Sequence, residues 1–199
     1  MGGAQSGTDG AQSDPGGAEP HPDAAEATRS PHRTTARTKA RRRAMDVVFE
    51  LDQKGHYGPG ALRSLLRERL AVSTAQTALP QYSADIVEGL AEHAHGIDQV
   101  LSTYLQGWTL PRLPAVDRAI LRIATWELLY GGDVDAPVVI TEAVNLAEDL
   151  STDDSPAFVN AVLDRLRMLA PVLVAEIAAE EEAADARARA AEARRAEEE

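Results

Sequence analysis

At 199 residues the chain has room for one ordinary domain with tails, and the absence of cysteine excludes disulfides and thiolate metal sites. Twenty basic side chains against 32 acidic ones leave a formal net charge of −12, so contact with a polyanion has to be local. The N-terminus lacks a basic region followed by an apolar one, and no apolar run reaches the roughly 20 residues of a membrane span, so a cytoplasmic protein is expected.

Residues 1–36 are rich in Gly, Ala, Ser, Thr, Pro and Asp and have no periodicity. Such a composition cannot bury enough apolar surface to offset chain entropy, and a disordered extension is expected. Between 29 and 43 stand seven basic residues, Arg29, Arg33, Arg37, Lys39, Arg41, Arg42 and Arg43, with no acidic one. Screening confines phosphate attraction to about 8 Å at physiological salt, so this segment can bind a polyanion while remote acidic surfaces repel it weakly. The first helix is expected over Thr38–Asp52, with Ala40, Ala44, Val47, Val48 and Leu51 inward and the basic side chains facing solvent. Positive charge at a helix N-terminus opposes the macrodipole, so the fold itself gains little from it.

Gly55-His56-Tyr57-Gly58-Pro59-Gly60 reads as a turn, and Leu62, Leu65, Leu66 and Leu70 mark a short second helix. A polar loop through Thr77 and Pro80 follows. From Gln81 to Gln106 the apolar spacing fits one long helix, or two separated near Gly89 or Gly96. Gly107 to Pro114 makes an extended connection holding Trp108, Pro111 and Pro114. Val116, Ile120, Ile123 and Ala124 then share a helical face. Asp135 can cap the next helix, with Pro137 in its first turn and Val139, Ile140, Ala143, Val144 and Ala147 buried. Ser155-Pro156 repeats the start signal before Phe158, Val159, Val162, Leu163 and Leu166. Residues 171–199 open with Val172, Leu173, Val174 and Ile177 and turn into an Ala/Glu/Arg tract, expected to be a solvated, fraying helix. No alternating strand pattern occurs. The prediction is an all-α bundle of six or seven helices over 37–170, flanked by a disordered N-terminal and a polar C-terminal tail.

Candidate sites are few. Phe158, in the first turn of its helix, can be a half-exposed stacking surface for a base or a core ring, and Tyr104 at the end of the long helix offers the same choice. Trp126 is flanked by apolar positions and reads as core. Asp117 and Glu142 lack a nucleophile or metal that would make them an acid–base pair. His93 and His95 fall on different faces of a helix and do not form a zinc pair. The N-terminal glycines lack the Gly-Lys-Ser/Thr ending of a phosphate loop. Neither an enzyme nor a cofactor is expected.

Three ordered blocks resemble the NusB family of transcription antitermination factors. They are Val116-Asp117-Arg118-Ala119-Ile120-Leu121-Arg122, Ile140-Thr141-Glu142-Ala143-Val144-Asn145-Leu146-Ala147 and Phe158-Val159-Asn160-Ala161-Val162-Leu163-Asp164. Ala40-Arg41-Arg42-Arg43-Ala44-Met45 through Phe49 is similar to that family's basic opening helix. The likeness runs from about Arg37 to Leu169 and departs at Thr141, where Asn is usual, and Ala161, where Gly is usual. It implies a protein that binds boxA RNA of nascent ribosomal transcripts together with NusE, a ribosomal small-subunit protein, within the transcription elongation complex. The RNA would cross Arg37, Lys39, Arg41 and Arg42 and the turn holding Asp154, Ser155 and Phe158, and NusE would dock beside Phe49 and Asp117. A bundle face left open is equally compatible with a homodimer. Two rivals are a NusB-like adaptor without RNA binding and, least favoured, the accessory domain of ribosomal-RNA cytosine methyltransferases, which needs a downstream catalytic domain.

Overall fold

The computed structural model describes residues 1–3, 35–71 and 78–198, with side chains described as far as Ala179. The chain divides into two units, Met1–Arg33 and Thr34–Glu199. Apart from its ends, the N-terminal extension lies outside the described residues, as does the loop through Thr77. What can be described is the second unit, with six α-helices and one 3-10 turn among its described residues.

Helix α1 (Ala36–Gln53) begins two residues before Thr38 because Thr35 and Thr38 cap it reciprocally, side chain to backbone at 3.0 and 3.2 Å. The chain turns out of it at Gly55, just past the Lys54 cap, where a φ of +66° is open to glycine at little cost. There the amides of Gly55 and His56 reach back to the carbonyls of Asp52 and Leu51, closing the last turn. Helix α2 (Pro59–Ala71) buries Leu62, Leu65 and Leu66 but leaves Leu70 exposed. Helix α3 (Gln81–Tyr104) is continuous, with a kink at His93 rather than a break at either glycine. Gly89 has a different purpose: a Cβ there would stand 2.0 Å from the indole nitrogen of Trp126.

After a 3-10 turn at Leu110–Arg112 comes α4 (Ala115–Leu129), which packs against α1, α3, α5 (Ala136–Leu150) and α6 (Ser155–Glu198). Enclosure on so many sides buries polar residues as well as apolar ones. Asp117, Arg122, Thr125 and Glu127 are interior, beside Ile120, Leu121 and Ile123. The Asp135 side chain makes no capping hydrogen bond to α5, and its carbonyl instead accepts from the amides of Val138 and Val139.

Helix α6 passes through Pro171 and runs on to Glu198. Leu173 is buried, and Ile177 packs on the same core as Leu163 and Leu166. The packed domain therefore extends beyond 170, because the apolar start of the tail continues the inward face of α6. No helix among the described residues is long and apolar enough to cross a membrane.

Candidate nucleic-acid interface

The first turns of α1 separate into two classes of cation. Arg37, Lys39 and Arg42 are exposed, whereas Arg41 is only 2% exposed. This corrects the expectation that Arg41 faces solvent, and helix geometry supplies the reason. Residue 41 lies on the same face as Ala44, Met45 and Val48, which is the face α1 buries. Its guanidinium meets Glu127 of α4 in a fork, with Nε 3.0 and 2.9 Å from the two carboxylate oxygens and Nη2 at 2.8 Å. Glu142 of α5 stands 3.6 Å from Nη1 and accepts from Thr38 Oγ1 at 3.1 Å. Burial alone would lower the Arg41 pKa, but the hydrogen bonds and charge of Glu127 outweigh it and hold the group above its ordinary value.

Tyr82 of α3 completes the cluster, its hydroxyl donating to Glu127 and its ring lying under Arg37 and Arg41 at 4.8 and 5.5 Å. Burial, and then the bond to Glu127, push its phenol well above the ordinary range. Arg37, Lys39 and Arg42 remain as exposed charge that a phosphate could meet.

A second cluster forms at the opposite end of α4. A cavity of about 250 Å³ opens between the connection before α4, represented by Trp108, Leu113 and Pro114, and the start of α6, represented by Thr152, Asp154, Ser155 and Phe158. Trp108 is 53% exposed and Phe158 half-buried, so both rings have a face to offer. The floor includes Asp117. Its Oδ2 accepts from Ser155 Oγ at 2.9 Å, while Oδ1 is buried with no hydrogen-bond partner. Ser155 is thereby interior, at 2% exposure, and Thr152 and Ser151 surround its hydroxyl at 2.8 and 3.0 Å. Asp154 is exposed.

Arg118, next to Asp117, joins this corner to α1. Its Nε donates to Asp52 at 2.8 Å, Nη2 contacts the same carboxylate, and Nη1 donates to the carbonyls of Leu110, Pro111 and Leu113 at 3.0, 3.1 and 3.0 Å. Asp52 also accepts from Arg122, which grips Asp98 and covers the ring of Tyr57 at 3.5 Å. Burial pushes the Asp52 carboxyl up, but the two guanidiniums win and hold it below its ordinary value. Phe49, one turn before Asp52, is half-buried against the core.

The structure thus brings Asp154, Ser155, Phe158 and Asp117 to one cavity. Asp117 is only 2% exposed and meets that cavity at its floor. Tyr104 is not among the cavity residues, and its ring lies under Arg165 of α6 at 5.8 Å. Trp108 was missed as a site residue, although an exposed-looking tryptophan in a Gly/Pro-rich connection was the available signal. Asp117 and Glu127 are ten residues apart on α4. At 1.5 Å per residue the two clusters are separated by about 15 Å along its axis, a span of a few nucleotides.

The family model described as "NusB family" matches residues 38–168. A transcription antitermination protein NusB from Beutenbergia cavernae is 53% identical over 148 residues, covering 72% of this chain and 97% of that protein. One from Arthrobacter sp. is 52% identical over 141 residues, covering 71% and 99%. Among solved structures, NusB of T. maritima superposes with a TM-score of 0.55 at 32% identity, covering 68% of this chain and 92% of the other.

Proposed function

The chain belongs to the NusB family, and from that premise we propose that it is a transcription antitermination factor that binds boxA RNA of nascent ribosomal transcripts together with NusE. The observation that carries this reading is the pairing of two complementary surfaces at either end of α4. Arg37, Lys39 and Arg42 supply sequence-independent phosphate attraction, and the Trp108–Phe158 cavity supplies flat rings on which single-stranded bases stack. The activity is one of binding. Joined to the elongation complex in the cytoplasm, the protein helps RNA polymerase pass terminators.

Titrating the full chain with boxA RNA, with and without NusE, tests the proposal. A scrambled RNA of equal length serves as the control. Preference for boxA, strengthened by NusE, is the expected result. Equal binding of both RNAs under both conditions would sink it, and binding of neither would sink it in favour of an adaptor without RNA binding.

A further inference from the structure

The two walls of the cavity are held in different ways. Phe158 and Ser155 belong to α6, and Ser155 anchors to Asp117. Trp108, Leu113 and Pro114 belong to a connection whose regular structure is a single 3-10 turn. Its own backbone contributes two short-range bonds, Arg112 to Thr109 at 2.9 Å and Leu113 to Leu110 at 3.3 Å. Such a segment needs an outside anchor to keep a fixed shape.

We infer that Arg118 is the positioning residue for this wall, setting the separation of Trp108 from Phe158 and so the fit of a base between them. The inference rests on the RNA-binding reading above. Arg118 Nη1 alone serves three successive parts of the connection, the carbonyls of Leu110, Pro111 and Leu113. The other side of the fork is fixed on Asp52, so the guanidinium cannot swing away with the loop. A planar fork with five donors can do both at once. The compact ammonium of lysine can hold Asp52 or the carbonyls, but not the whole set in this geometry. Asp52→Asn removes the charge of the ion pair but keeps an amide oxygen that accepts from the fork, so the guanidinium stays anchored and the three carbonyl bonds remain available.

The experiment uses the full chain with Trp126→Phe as background, which leaves Trp108 as the single indole. Arg118→Lys and Asp52→Asn are each compared with this parent by boxA RNA titration over a range of salt, acrylamide quenching of Trp108 and thermal melting. Arg118→Lys is expected to weaken RNA binding about fivefold or more, the low end of what one stacked base contributes. The slope of log affinity against log salt should stay unchanged, because every bound phosphate keeps its cation, and quenching of Trp108 should rise. Asp52→Asn should lower the melting temperature yet keep parental affinity and quenching, which a merely structural role for the cluster would not allow. Parental affinity and quenching in Arg118→Lys would overturn the inference, as would an equal loss of affinity in Asp52→Asn. If the parent itself binds no boxA RNA, the functional reading fails, and the quenching comparison still decides whether Arg118 holds Trp108.

Discussion

Arg41 and Glu127 form a two-pronged ion pair between residues 86 apart in sequence, with side chains only 3% and 2% exposed. Removing one partner of such a pair leaves the other charge buried and alone, so Arg41→Met is expected to cost about 3–5 kcal/mol of stability. Replacing Lys39 and Arg42 by Gln should leave the melting temperature in place. That double variant should instead make the salt dependence of RNA binding shallower, by about 0.7 for each phosphate of a single strand that is no longer neutralised. Melting curves and salt-dependent titrations of the two variants check the division. A stable Arg41→Met protein with a reduced salt slope would reverse it.

Phe158→Ala is expected to weaken RNA binding by about 1–3 kcal/mol, the contribution of one stacked base. Its cost to stability should fall below the about 3–5 kcal/mol of a fully buried phenylalanine, because the ring is half-exposed. Asp154, exposed beside the same cavity, repels phosphate, so Asp154→Asn should bind RNA modestly tighter with no change in melting. Weaker binding by Asp154→Asn would mean that the RNA runs elsewhere.

The depressed Asp52 pKa dictates the sign of one pH effect. A carboxylate whose folded pKa is below its unfolded value, about 3.9, adds stability above that value and loses it as pH falls through the folded one. The difference in melting temperature between the natural protein and Asp52→Asn should therefore be constant near neutrality and shrink below about pH 4. A gap that widens on acidification would contradict the assignment.

At Gly89 a methyl group would fall within 2.0 to 2.5 Å of three atoms of the Trp126 indole. Gly89→Ala is normally favourable inside a helix, yet overpacking here should destabilise by about 1–3 kcal/mol. Combining it with Trp126→Leu should recover part of the loss, a coupling that melts of the two single variants and the double one would reveal.

The helices were legible because apolar residues recur along them at helical spacing, which is local information. Val48, Ile120, Val139 and Leu163 all sit where that spacing puts them. The basic run was legible as charge, but the fate of Arg41 depended on Glu127 and Glu142, remote in sequence and carried by two other helices. Asp117 likewise carries no local sign that Ser155 and the packing around α4 enclose it. Leu173 shows the same limit in reverse: its apolar neighbourhood was visible, but not that α6 continues through Pro171 to put it on the core.

Helix α4 is gripped by four neighbours, so the distance between the ends that carry Glu127 and Asp117 is not adjustable. On the proposed RNA-binding reading, two modest patches on such a fixed ruler behave as a bivalent receptor. Once a strand engages one patch, the other meets it at the high effective concentration set by the intervening nucleotides. Affinity then climbs steeply with RNA length until a single strand reaches both ends, and levels off beyond that point. Two short fragments, each matched to one end, cannot reproduce the tight binding of the continuous strand.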